Sequence, residues 1–121
     1  MKQIISTRKE VVQMVDLFYD SVRKDELIGP VFNGIIGDNW DSHLIRMYQF
    51  WETILFGVGS YKGNPFEKHV NLPIESHHFE RWLQLFESTI NTHFEGEYAD
   101  QALSRANTIS KVFQAKMGIL P

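Results

Sequence analysis

Apolar residues recur at helical spacing along nearly the whole chain, and no segment alternates convincingly enough to be a strand. The first stripe follows a capping-box pattern, Thr7 with Glu10, and runs to about Lys24. Further long helices are predicted at about Trp40–Phe56, Ile74–Phe94 and Glu97–Met117. Between the first two long helices, the segment "KDELIGPVFNG" is expected to form a short turn of helix at most, which Gly29-Pro30 interrupts. The sequence therefore predicts an all-α fold, with residues 1–121 forming one domain.

The second long helix is apolar around most of its circumference. One face carries His43, Met47, Phe50, Trp51 and Ile54, and other apolar residues fall elsewhere on the helical wheel. Such a helix is usually buried in the middle of a domain, which is what we expect for this one.

Composition excludes several classes of function. The net charge of −3 argues against a nucleic-acid or anionic-membrane surface. The chain has no cysteine, so disulfides, iron–sulfur clusters and Cys-based zinc sites are excluded. No stretch approaches the roughly 20 apolar residues of a membrane span, and the start "MKQIISTRKE" has no apolar leader core. We therefore expect a soluble protein in the cytoplasm.

Histidine is the residue type that could bind a metal here. The five histidines are His43, His69, His77, His78 and His93. A di-iron bundle needs two Glu-x-x-His pairs, and only Glu75 with His78 supplies one. Zinc would need further carboxylate ligands, for which no spacing stands out. Each histidine also fits an ordinary surface or hydrogen-bonded core position, so these alternatives stay open.

A haem site needs one histidine below the iron, apolar walls and a distal side with hydrogen-bond donors. The tract "FEKHVNLP" holds His69 among apolar neighbours beside prolines, which suits the first role. The helix of His43, Met47 and Trp51 offers a wall, and Tyr19 lies in the stripe of the first helix. Tyr19 could equally donate to a backbone carbonyl while His69 caps a loop. Residue pattern alone leaves both interpretations open.

Five motifs in fixed order resemble the truncated haemoglobins, and among them group III. They are "FY" at 18–19, "VRKDELIGPVF", "W..H...M..FW" at 40–51, "Y.G.P...H" at 61–69 and "HFERWLQLF" at 78–86. The resemblance covers about Leu17 to Phe113. It implies a shortened globin fold, a two-over-two helical sandwich around haem b with the usual first helix largely missing. The glycine pairs of the other truncated groups are absent, since Gly34, Gly57 and Gly59 stand singly.

The resemblance also implies roles for individual residues around the iron. His69 matches the iron ligand, and Tyr19 matches the distal tyrosine that donates a hydrogen bond to bound ligand. Trp82 matches the tryptophan that lines the same pocket. His43 matches a distal histidine that gates the pocket or weakly contacts ligand, and Phe32 matches the phenylalanine that packs on the haem.

Further positions match the walls and rim of a haem pocket. The resemblance places Met47 toward the distal cavity, with Trp51 and Leu72 as apolar contacts. Arg46 and Lys68 match basic positions that pair with haem propionates, although a solvated surface charge explains them equally well.

The function implied by the resemblance is binding of O2, NO or CO at a His-ligated iron. Because two donors aimed at O2 slow its release, nitric-oxide dioxygenation, peroxidase-like activation or sensing is favoured over transport. Turnover would require an unidentified reductase, and we expect a monomer or a weak dimer. The competing hypothesis is a haem-free helical interaction module with a globin-like shape.

Overall fold

The computed structural model describes residues 2–58 and 74–117, in which four long helices pack as two pairs. The helices are α1 (Arg8–Lys24), α2 (Gly29–Ile36), α3 (Trp40–Phe56), α4 (Ser76–His93) and α5 (Glu97–Lys116). Helix α1 packs against α3 and α4, α4 packs against α5, and α3 meets α5. This arrangement confirms the all-α prediction and its two-over-two layering. The predictions for Lys68, His69 and Leu72 lie outside the described residues.

The predicted capping box at the start of α1 is present. The Glu10 carboxylate accepts hydrogen bonds from the backbone N–H groups of Thr7 at 2.8 Å and Ser6 at 3.0 Å. These bonds satisfy donors that a helix start leaves without intrahelical partners. They fix the first turn of the helix that carries Tyr19.

The prediction that Gly29-Pro30 interrupts a short turn of helix was wrong, because these residues begin the eight-residue helix α2. Proline is tolerated in a first helical turn, where its missing N–H has no helical acceptor. Glycine is needed beside it: a Cβ on Gly29 would lie 3.0 Å from the carbonyl oxygens of Val22 and Arg23. The Asp25 carboxylate accepts from the N–H groups of Leu27 and Ile28, both at 3.0 Å, and so fixes the turn before α2.

Helix α3 has the predicted bounds. Its C-cap residue, Gly57, has a φ of 72°, a backbone conformation that glycine adopts readily. The expectation that this helix is buried in the middle of the domain was wrong. Ile45 is 50% exposed, and only Trp40, Trp51 and Leu55 on this helix are buried. Ile45 does not line the cavity that Met47 and Phe50 border, so α3 turns one apolar face to that cavity and exposes part of another to solvent.

Two short strands also depart from the sequence prediction. Strands β1 (Gln3–Ile4) and β2 (Phe94–Glu95) pair in parallel, with Gln3 opposite Phe94. Two residues are too few to show an alternating pattern in the sequence. None of the helices within residues 2–58 and 74–117 is long and apolar enough to cross a membrane.

Aromatic rings form the centre of the core. Phe86 is fully buried and stacks nearly parallel to Trp51, at 5.0 Å between ring centroids, and to Trp82, at 5.9 Å. Phe18 meets Phe86 edge to face at 5.1 Å. Since these rings come from α1, α3 and α4, the cluster fixes three helices relative to one another.

Asp25 should contribute to stability through the turn it holds and through its ion pair with Arg81, at 2.8 Å. Burial raises the pKa of Asp25, but hydrogen bonds from Ile28, Arg81 and Leu27 outweigh it and lower that pKa overall. We expect Asp25→Ala to reduce the free energy of unfolding at pH 7 by about 1–3 kcal/mol, measured by urea denaturation.

The difference in the free energy of unfolding between Asp25→Ala and wild type should disappear in acid. Because the folded pKa of Asp25 is depressed, its contribution is present above the unfolded pKa of about 3.9 and is lost as pH falls through the folded value. Asp20→Ala is the matched control, since the Asp20–Lys24 pair is exposed and should matter little. Equal effects of the two substitutions at pH 7 would contradict the role of Asp25.

Candidate functional site

An almost entirely apolar cavity opens between the helices, with side chains of all five helices on its wall. Six of the predicted site residues line it: Tyr19, Phe32, His43, Met47, Trp51 and Trp82. They come from four helices and from positions up to 63 apart in sequence, from 19 to 82. The structure therefore brings together residues that the residue pattern and the resemblance had assigned to one site.

Tyr19 is 6% exposed and borders this cavity. Its ring meets His43 at right angles with 5.1 Å between centroids, and Phe32 edge to face at 6.3 Å. Burial strongly raises the pKa of Tyr19, so the hydroxyl keeps its proton at neutral pH. No protein group in the described part of the chain accepts a hydrogen bond from it. A buried tyrosine hydroxyl normally has a partner, so this one suits a ligand.

The indoles of Trp51 and Trp82 both line the cavity, and each stacks nearly parallel to Phe86. Within residues 2–58 and 74–117, neither indole N–H donates to a protein group. Phe18 meets Trp82 edge to face at 5.6 Å, which fixes the plane of that indole. The cavity thus has potential donors from α1, α3 and α4 beside apolar walls.

His43 stands at a boundary between two environments. It lines the apolar cavity, and it also lines a polar surface pocket that Asn39, Ser42 and Arg46 help to form. Arg46 is exposed and belongs to the polar pocket, not to the apolar wall. His43 is thus shared between the apolar cavity and the polar surface pocket.

His78 lines the cavity too, a position that the sequence prediction missed. Its Nδ1 accepts a hydrogen bond from the backbone N–H of Glu75 at 2.9 Å, which caps α4. Glu75 and His78, whose spacing matches half of a di-iron motif, thus form a helix cap. In the described ranges, no three side chains of the His, Asp and Glu types converge on a common point. The spacing of a capping box, with His in place of Glu or Gln, was the overlooked pattern.

Helix α5 contributes a part of the wall that the sequence did not reveal. Ser110 is 3% exposed and lines the cavity between Ile109 and Phe113. It accepts a hydrogen bond from the buried Gln114 Nε2 at 3.0 Å. A single serine within an apolar helical stripe gives no sequence pattern by which a cavity position is recognised.

Comparison with known proteins identifies the family. The Bacterial-like globin family matches residues 3–115. The chain is 36% identical over 118 residues to Group 3 truncated hemoglobin ctb of Campylobacter jejuni, covering 94% of this chain and 93% of that protein. It also matches the crystal structure of group III truncated hemoglobin from C. jejuni, at 36% identity with a TM-score of 0.88, over 97% of this chain and 95% of the other.

The chain therefore belongs to the bacterial-like globins, as a group III truncated haemoglobin. Membership of this family implies globin-type binding of haem and of small diatomic ligands. The described residues fit a haem group. The cavity walls are apolar, as a macrocycle requires, and the Tyr19 hydroxyl borders them without a protein acceptor in the described ranges.

The cap formed by His78 should make the stability of α4 depend on pH. Protonated His78 has no lone pair on Nδ1 to accept from Glu75 N–H. Burial, and then the neighbouring His77, lower the pKa of His78 below 6.5. The contribution of neutral His78 is therefore complete above about pH 6.5 and is lost as pH falls through the folded value.

Substitution of His78 by glutamine tests this dependence, since glutamine can accept the same bond without titrating. We expect the melting temperature of wild type to fall more steeply between about pH 7 and pH 5 than that of His78→Gln. His93→Gln alters an exposed histidine at the other end of α4 and should keep the wild-type slope. Identical slopes for His78→Gln and wild type would contradict the prediction.

Proposed function

We propose that the chain is one truncated globin domain that binds haem b in the apolar cavity, with His69 as the iron ligand. Haem supplies the iron at which O2, NO or CO binds. The observation that most supports the proposal is Tyr19, a buried residue whose ring packs beside His43 and Phe32 and whose hydroxyl has no acceptor among the described residues. A haem-free bundle would gain nothing from an unsatisfied hydroxyl at this position.

Tyr19 and Trp82 act as hydrogen-bond donors to the bound ligand. Because burial raises the pKa of Tyr19, its hydroxyl stays a donor across the physiological range. The indole N–H of Trp82 is a donor at every pH. Each bond to the partly negative O2 contributes on the order of 1 kcal/mol, which lowers the dissociation rate several-fold.

The remaining predicted residues hold the haem or control access to it. Phe32, Met47 and Trp51 form apolar walls, and Leu72 is assigned the same role from the resemblance. His43 acts as a gate, which its position between the apolar cavity and the polar pocket supports. Arg46, exposed in that polar pocket, pairs with a haem carboxylate, and Lys68 is assigned the same role.

Slow release of O2 favours redox chemistry over transport. Two donors on the ligand oppose the rapid unloading that a carrier needs. We therefore assign the protein to nitric-oxide dioxygenation or peroxidase-like activation, with electrons from a separate reductase, and to a monomeric or weakly dimeric state.

The visible spectrum tests haem binding and its iron ligand. We expect purified wild type to show an intense Soret band that shifts on reduction and again with carbon monoxide. His69→Ala should weaken or alter that band, because the iron loses its protein ligand. His93→Ala, an exposed change on α4, is the control and should resemble wild type. A colourless wild type that takes up no added haemin would overturn the proposal and favour the interaction module.

The rate of O2 dissociation tests the role of Tyr19. We expect Tyr19→Phe to release O2 several-fold faster than wild type, since it removes one donor of about 1 kcal/mol and keeps the ring. Tyr98→Phe is the matched control, because Tyr98 packs against Phe56 at 5.0 Å, and neither ring lines the cavity. An unchanged rate in Tyr19→Phe, measured by stopped-flow mixing, would exclude this hydroxyl as a donor to the ligand.

A further inference from the structure

Trp40 lies behind Tyr19 and His43, off the cavity wall, and contacts both rings. Its centroid is 5.8 Å from that of Tyr19 and 5.7 Å from that of His43, with the latter pair at 88°. Tyr19 and His43 in turn meet each other at 5.1 Å. Three rings thus contact one another pairwise, and only two of them reach the cavity. Trp40 is 7% exposed, so its indole is part of the packed interior.

The Trp40 indole is itself held on two sides. Its Nε1–H donates to Asn33 Oδ1 at 3.1 Å, and Asn33 Nδ2 donates to the carbonyl oxygen of Arg23 at 3.3 Å. The Arg23 guanidinium lies over the Trp40 ring, 4.6 Å from its centroid. Asn33 therefore ties the end of α1 and the middle of α2 to the first residue of α3. A tryptophan held by an edge bond and a cation over its face has little freedom to rotate.

His43 follows Trp40 by three residues on α3, so the two side chains share a face of that helix. His43 borders both the apolar cavity and the polar pocket, and an imidazole at such a boundary can turn toward either side. The perpendicular contacts with Trp40 and Tyr19 favour the orientation against Tyr19. Loss of the Trp40 contact removes a ring that packs at right angles against His43.

We propose that Trp40, fixed by Asn33 and Arg23, is a positioning residue that holds His43 against Tyr19 and so limits ligand entry and exit. The proposal rests on the haem function proposed above. It assigns to Trp40 no contact with haem or ligand. Its action passes entirely through the orientation of His43.

Ligand kinetics in single and double variants test the proposal. In the haem-loaded protein, Trp40→Phe should speed carbon monoxide association and O2 dissociation several-fold, because phenylalanine lacks the N–H that Asn33 accepts. In a His43→Ala background the same substitution should leave both rates unchanged. A role confined to general stability predicts no such dependence on His43.

Two variants of Asn33 separate the effect of its hydrogen bonds from the effect of the Trp40 ring itself. Asn33→Asp keeps the acceptor for the Trp40 N–H but loses the donor to the Arg23 carbonyl, so it should change the rates less than Asn33→Leu, which removes both groups and should reproduce Trp40→Phe. Phe94→Leu serves as the control for lost packing, since Phe94 is buried and lies off the cavity wall. It should lower the melting temperature without changing either rate.

The outcomes distinguish this inference from the proposed function. Wild type that takes up no haem overturns both. Haem-loaded Trp40→Phe with wild-type rates overturns the role of Trp40 alone. So does a rate change that persists in the His43→Ala background or that Phe94→Leu reproduces.

Discussion

The packing of Phe86 is the interaction on which the rest of the structure depends. This ring is fully buried, stacks nearly parallel to Trp51 of α3 and to Trp82 of α4, and meets Phe18 of α1 in a T-shaped contact. Aromatic contacts of this kind are directional, so they fix the rotation of each helix as well as its distance. Tyr19 follows Phe18 directly, and its place on the cavity wall is a consequence of that fixed rotation.

The same packing leaves polar groups where a core would normally have none. The Tyr19 hydroxyl and two indole N–H groups border an apolar cavity without acceptors in the described part of the chain. Donors beside an apolar cavity suit a ligand that accepts hydrogen bonds from them. A globin that binds a partly negative diatomic ligand supplies that acceptor, and Trp40 with Asn33 shows that the rings around it are held from behind.

Much of the fold followed from helical periodicity, because α1, α3, α4 and α5 lie within a few residues of their predicted bounds. Helix α2 did not, since its start at Gly29 depends on a close backbone approach to Val22 that no local pattern encodes. The residue pattern and the resemblance together selected six residues that share the cavity. They missed His78 and Ser110, whose positions result from a helix cap and from tertiary packing. The predictions for Lys68, His69 and Leu72 remain predictions.

The most direct test of the account is a crystal structure of the haem-loaded protein with a diatomic ligand. We predict haem in the cavity between Tyr19, Phe32 and Trp82, with Tyr19 Oη within about 2.5–3.0 Å of the ligand, the range of an O–H···O hydrogen bond. Haem bound elsewhere would contradict the account. A Tyr19 hydroxyl directed at a backbone carbonyl, beyond hydrogen-bond reach of the ligand, would contradict it equally.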